Sequence, residues 1–155
     1  MLKRAIVAAV AAAALVGTVL AVTASGSTAS TAAGTVRLHL IEHPVNEHVV
    51  DLPPAGDSQG DQFPFSNLLF NAANTRQVGR DQGNCIRTNP RRGEWQCSWT
   101  NKIADGQITV EGPFYDTRDS KVAITGGTGD FRMVRGWLEL SAAPGGYRFE
   151  FHLLP

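Results

Sequence analysis

The stretch Ala123-Ile-Thr-Gly-Gly-Thr-Gly-Asp-Phe-Arg-Met-Val-Arg-Gly136 decides how the chain is read. A short apolar run breaks into Gly126, Gly127 and Gly129 and then resumes, which reads as a strand, a sharp corner and another strand. The three glycines supply positive φ and close backbone approach without steric cost, as a sheet needs where it bends hard or lets a neighbouring backbone pass. A phosphate-binding loop would need Gly-Lys-Ser/Thr closing onto a helix. Here the glycines lead into Asp130 and a β-rich segment, so no nucleotide and no other cofactor is expected.

Outward from that corner, residues 35–155 carry almost no helical periodicity and recurrent period-two alternation. In Tyr147-Arg-Phe-Glu-Phe-His-Leu153 the apolar residues 147, 149, 151 and 153 face one way and Arg148, Glu150 and His152 the other. Asp105-Gly106 is the dipeptide that prefers a tight hairpin turn. Strands are expected near 35–42, 63–71, 76–81 continuing into 84–88, 94–103, 107–112, 120–125, 132–141 and 146–154. Eight short strands joined mostly by hairpins suggest an all-β, eight-stranded antiparallel barrel, with a lumen wide enough for side chains or one small ligand. A two-sheet sandwich has the same alternation, so periodicity alone leaves both open. The loop from His43 to Gly60, rich in proline and glycine, is long enough to suspect a role at a barrel mouth.

The 155 residues suit one compact domain. Fourteen Lys and Arg balance fourteen Asp and Glu, so no basic field advertises nucleic acid, and no nucleic-acid partner is expected. Lys3 and Arg4 precede an apolar, alanine-rich run from Ala5 to Val22, followed by small polar residues. This reads as a signal peptide over 1–24, with cleavage after Ala24 and a later site offered by Ala33, a flexible linker over 25–34 and a barrel domain over 35–155. The expected product is secreted and extracellular, with no stable membrane insertion after cleavage. A retained anchor is the competing reading, because such a run lies at the lower edge of what spans a bilayer.

Outside the cytoplasm a pair of thiols is most often a disulfide. The turn cluster Asn89 to Gly93 folds the chain about Arg91 and sets Cys85 opposite Cys97 across two antiparallel arms. Two sulfurs at this spacing lack the further pair of ligands that zinc wants. His39-Leu-Ile-Glu-His43 spells the H-x-x-E-H of inverted zinc proteases, but that chemistry needs a helix. On a strand the two histidines lie about 13 Å apart, too far to share an ion, so no metal is expected.

Four motifs together resemble allene oxide cyclase: Gly60-Asp-Gln-Phe-Pro-Phe-Ser-Asn67, Val78-Gly79 leading to Gly83-Asn-Cys85, Gly106-Gln-Ile-Thr-Val-Glu-Gly-Pro-Phe114, and Ala123-Ile-Thr-Gly-Gly-Thr-Gly129. Arg135-Gly136 after the glycines is similar to the dirigent proteins, which share the barrel. The resemblance spans about residues 36–154 and implies an eight-stranded antiparallel barrel with an internal apolar cavity, often trimeric, so a homotrimer is an expectation. It implies that Glu42 assists opening of an epoxide, that Asn67 helps to hold a water at the epoxide oxygen, and that both are catalytic. Phe63, Phe65, Ser66 and Phe114 are then ligand-binding, and Arg135 joins them from the dirigent side. A carboxylate at the end of a dry barrel stabilises developing positive charge, and an amide fixes a water at a developing oxyanion.

The departures are specific. Pro44 stands where the cyclases have another water-holding asparagine, and Phe114 replaces a tyrosine. Pro53 or Pro54 could complete the water site, with no unique match. Cys85 matches a cavity cysteine that is a free thiol in the plant enzymes, and here Cys97 would tie it up. The dirigent first-strand His-Asp pair is replaced by Glu42-His43. The resemblance therefore implies a small apolar oxygenated ligand, lipid-like in character, in the lumen. Its role is an isomerase-like cyclisation if the chain is an enzyme and dirigent-like guidance if it is not. A filled lumen would make the chain a structural extracellular barrel instead.

Overall fold

The computed structural model describes residues 34–154. The expected signal segment, its cleavage site and nearly all of the linker lie outside these residues. Eight strands follow in order: β1 (Val36–His43), β2 (Gln62–Asn71), β3 (Gln77–Asn89), β4 (Glu94–Ile103), β5 (Gly106–Tyr115), β6 (Ser120–Gly129), β7 (Arg135–Ala143) and β8 (Gly146–Leu154). Each pairs antiparallel with the next, and β8 returns to β1, which closes the barrel and excludes the two-sheet sandwich. The H-x-x-E-H segment lies on β1, where its two histidines sit on a strand rather than a helix.

Alternation sorts the side chains as the sequence suggests. Phe149, Phe151 and Leu153 are buried inside, and the half of the lumen nearer the β6–β7 turn is filled by Ile108, Val110, Leu138 and Phe151. His152 faces outward yet is also buried, because Trp137 stacks on its ring at 4.5 Å and Glu139 and Glu150 flank it. Cys85 pairs with Cys97 across β3 and β4 and the two form a disulfide on the inner face. The reversal between them is a single turn of 3-10 helix over Pro90–Arg92, closed by Gly93 in the left-handed region.

β3 runs without a break through residues 82 and 83, in line with the expected continuation of 76–81 into 84–88. One expectation needs correction. The glycine stretch is not one corner: Gly126 and Gly127 stay within β6, and neither has positive φ. Thr125 is extra in the β5–β6 register, which runs Val110 to Ile124 and then Thr109 to Gly126. The chain turns only after Gly129, at φ 62°, through residues 130–134, so β7 begins at Arg135 rather than near 132. Gly127 is needed for space: a Cβ there would lie 2.3 Å from the Phe131 carbonyl oxygen and 2.8 Å from that of Gln107.

The long loop closes the other end. Beyond His43 the chain leaves β1 but keeps running beside β2, through bridges Glu47–Phe65 and Val50–Gln62. Asp61, itself buried, accepts backbone N–H groups from Leu52 and Ser58 and so folds the loop onto its own end. Arg87 then ties loop to turn, with Nε donating to Asp57 at 2.6 Å and Nη1 to Asp116 at 2.6 Å, over the face of Trp95.

Candidate active site

Antiparallel closure brings the end of β1, the start of β2, the end of β5, the end of β7 and the start of β8 to one rim. Inside that rim lies a cavity of about 50 Å³. Its wall is aromatic, built from Phe63, Phe65, Trp99, Phe114, Tyr147 and Phe149, with the Cys85–Cys97 bridge on one side. The wall comes from the inner positions of alternating strands: Phe63 faces Cys85 across β2 and β3, and Cys97 continues the row on β4.

One patch of this wall is acidic. Glu42 is 3% exposed, and Asn67 and Asp81 are 1% exposed each. Asn67 organises the patch: its Nδ2 donates to Glu42 and, at 2.8 Å, to Glu47, while its Oδ1 accepts the Val45 and Asn46 backbone N–H groups at 3.0 and 3.3 Å. Its own backbone N–H donates to Asp81 at 3.2 Å. Both Nδ2 hydrogens are thus taken by carboxyl groups. Asn67 ties the acids and the loop together.

Burial pushes the Glu42 carboxyl up to about 8, helped by the charge of Asp81, opposed by the Asn67 hydrogen bond and raised further by Glu47. Burial likewise raises Asp81 to about 6 against the pull of the Asn67 N–H. Tyr147, opposite Glu42 across β1 and β8, is raised by burial and then by Glu42 and Glu47. Near neutral pH Glu42 is therefore a protonated acid, able to donate to a ligand oxygen. Glu42 Oε2, Asp81 Oδ2 and Trp99 Nε1 are buried here without a hydrogen-bond partner.

Of the residues singled out in the sequence, Glu42, Asn67, Phe63, Phe65 and Phe114 line this cavity. Ser66 points to the outer face of β2, and its backbone N–H donates to the Asn46 carbonyl. Arg135 is exposed at the start of β7, on the opposite rim, and does not line the cavity. Pro53 and Pro54 lie in the loop, also away from it. The structure adds the acids Glu47 and Asp81 and the aromatics Trp99, Tyr147 and Phe149, which the motifs do not single out. Tyr147 packs edge-on against Phe114 at 5.6 Å, so a phenol stands beside the position where Phe114 lacks a hydroxyl.

No family model matches the chain. It is similar to the solved structure of a pyocyanin demethylase, at 30% identity over 77% of this chain and 100% of that one, with a TM-score of 0.70. A pterocarpan synthase dirigent protein aligns at 20% identity over 84% of this chain and 96% of its own, with a TM-score of 0.63. An exo-specific intermolecular Diels-Alderase aligns at 15% identity over 77% and 98%, with a TM-score of 0.57. The last two share the fold.

Proposed function

The chain belongs to the superfamily of allene oxide cyclase-like and dirigent barrels, and from that premise we propose that its lumen binds a small apolar oxygenated molecule and steers its isomerisation or cyclisation. The observation that carries this reading is a protonatable Glu42 buried at the end of an aromatic cavity, with Oε2 free to meet a ligand. Glu42 donates to the ligand oxygen, the ionised carboxylates stabilise positive charge as it develops on carbon, and the aromatic wall confines one conformer. The names of the similar proteins include one demethylase, one dirigent protein and one Diels-Alderase, which fits a lumen whose chemistry is set by a few polar groups on a common barrel. A disulfide supports the proposal that the protein works outside the cytoplasm, in keeping with the basic and apolar character of its first residues. A homotrimer is part of the same proposal and is tested by native mass spectrometry.

The direct test offers an unsaturated fatty-acid epoxide of the allene oxide kind and reads the handedness of the cyclopentenone formed. Uncatalysed cyclisation is racemic, so one enantiomer in excess, lost in Glu42→Gln while binding persists, is the expected result. A racemic product with ligand still bound would leave a dirigent-like guiding protein. Failure to bind any apolar ligand would point to a structural barrel.

A further inference from the structure

The Cys85–Cys97 bridge belongs to the cavity wall as well as to the β3–β4 ladder. Cys85 and Cys97 are 3% and 2% exposed, while their neighbours along the two strands, Asn84, Ile86, Gln96 and Ser98, are exposed on the outside of the barrel. Closure leaves no edge beside β3 or β4 through which a reagent could reach the sulfurs. The far half of the lumen is packed with Ile108, Val110, Leu138 and Phe151. The cavity at the acidic rim is therefore the route to the bridge, and its volume of about 50 Å³ has room for a few waters but not for a reagent beside a ligand. Phe63, opposite Cys85 on β2, stands along that route.

We propose that the Cys85–Cys97 bridge is a redox switch of the lumen, opened by a small dithiol that enters through the mouth and shielded by whatever molecule the lumen holds. This goes beyond the function proposed above and rests on the lumen being the binding site. In the exchange, a thiolate of the dithiol attacks one cysteine sulfur, the S–S bond breaks, and the other sulfur leaves as a thiolate that takes up a proton. The second thiol of the reagent then displaces the first sulfur. The protein gains two electrons and two protons, and the dithiol closes to a cyclic disulfide. Attack needs the thiolate beside a sulfur, and a ligand in so small a cavity fills that space. The freed thiols also change the site. Two unbonded sulfurs repel at the distance where bonded ones rest, and the ladder holds their Cα atoms in register, so they separate by side-chain rotation. The sheet lies behind them and the cavity in front, so the sulfurs swing into the space that a ligand would take. The oxidised protein is the binding form, and reduction weakens it.

Reduction by dithiothreitol at about pH 8, stopped with acid and read by alkylation and mass, tests the route. Well below the unfolding midpoint the rate should be independent of urea, because the bridge reacts without global opening. Phe63→Ala should raise that urea-independent rate several-fold. 2-Naphthol, an uncharged flat alcohol, supplied at ten times its Kd should slow it about tenfold, because about one lumen in eleven is then open. By calorimetry the reduced protein, shown to be folded by circular dichroism, should bind 2-naphthol several-fold more weakly than the oxidised one. Cys85→Ala with Cys97→Ala, which lacks both the bridge and the sulfurs, should bind at least as well as the oxidised protein, with serine in place of alanine if that variant does not fold. A rate that climbs with urea at the global slope from the start would overturn the proposal, as would unhindered reduction of protein saturated with 2-naphthol. Equal affinity of the two redox forms, an equal loss in the sulfur-free variant, or unfolding on reduction would make the bridge structural and leave the lumen as a binding site. Oxidised protein that does not bind 2-naphthol would overturn the proposal and the lumen reading together.

Discussion

Replacing Glu42 by glutamine removes a group that the folded protein holds protonated and the unfolded chain does not. The carboxyl moves from an ordinary 4.5 in the open chain to about 8 in the barrel. Between those limits folding takes up a proton, so stability is full below the lower value and is lost as pH rises through the upper one. Forcing the buried group to ionise costs on the order of 5 kcal/mol from the shift alone, and roughly 2 to 3 kcal/mol once water entry and side-chain relaxation soften it. The glutamine amide can still accept the Asn67 Nδ2–H through its carbonyl, so little packing is lost. Urea unfolding at about pH 5, 7 and 9, with the disulfide intact and the slope m compared at each, measures this directly. The unaltered protein should lose a few kcal/mol across that range, and Glu42→Gln should lose much less and be the more stable of the two at the alkaline end. Some slope persists in the variant at the acid end, where Asp81, raised to about 6, still titrates. Parallel profiles, or a variant weaker than its parent at alkaline pH, would refute the buried, desolvated acid.

Converting both Cys85 and Cys97 to serine should cost roughly 3 kcal/mol, the chain-entropy estimate for so short a loop, read as a lower urea midpoint; no loss would show that the closed barrel already fixes the arms. Gly127→Val should unfold the protein or lower its melting temperature sharply, because the new Cβ would sit 2.3 Å from the Phe131 carbonyl oxygen. An unchanged melting temperature would mean that the turn over 130–134 can move aside. Arg87→Met should cost about 1 kcal/mol, since the carboxylates it leaves unpaired, Asp57 and Asp116, are themselves solvent-exposed and regain water. Amide exchange should then quicken first in residues 51–61, and uniform quickening across the barrel would show that Arg87 does not pin the loop.

What is legible in the chain is whatever depends on parity along one strand. Alternation in β8, the hairpin signal at Asp105-Gly106 and the opposed cysteines all survive into the fold because a strand presents every second side chain to one face. The differences come from pairing between strands. The glycine stretch reads as a corner, yet whether the chain turns at Gly127 or after Gly129 depends on the bulge at Thr125 in the β5–β6 register. Arg135 is drawn toward the site only by its position after those glycines. The start of β7 lies on the rim opposite the end of β1, so closure separates it from Glu42. Asp81 is within reach of the sequence: it has the same parity as Cys85, and β3 read as one strand puts both on the inner face. Glu47 has no such signal, because its place is set by a bridge to Phe65 from a loop without periodicity.

Closure of the barrel also governs the chemistry of the site. Three carboxyl groups held by one asparagine, two by its side-chain amide and one by its backbone N–H, would spread apart or ionise freely on an open surface, where water screens them. Here β1, β2 and β3 fix Glu42, Asn67 and Asp81 through backbone register, and the loop brings Glu47 to the same amide. The filled half of the lumen holds that register while the aromatic half leaves room beside the acids. A barrel arranged in this way keeps water from its acids, and that desolvation is the first cause that holds Glu42 and Asp81 above the ordinary carboxylate range.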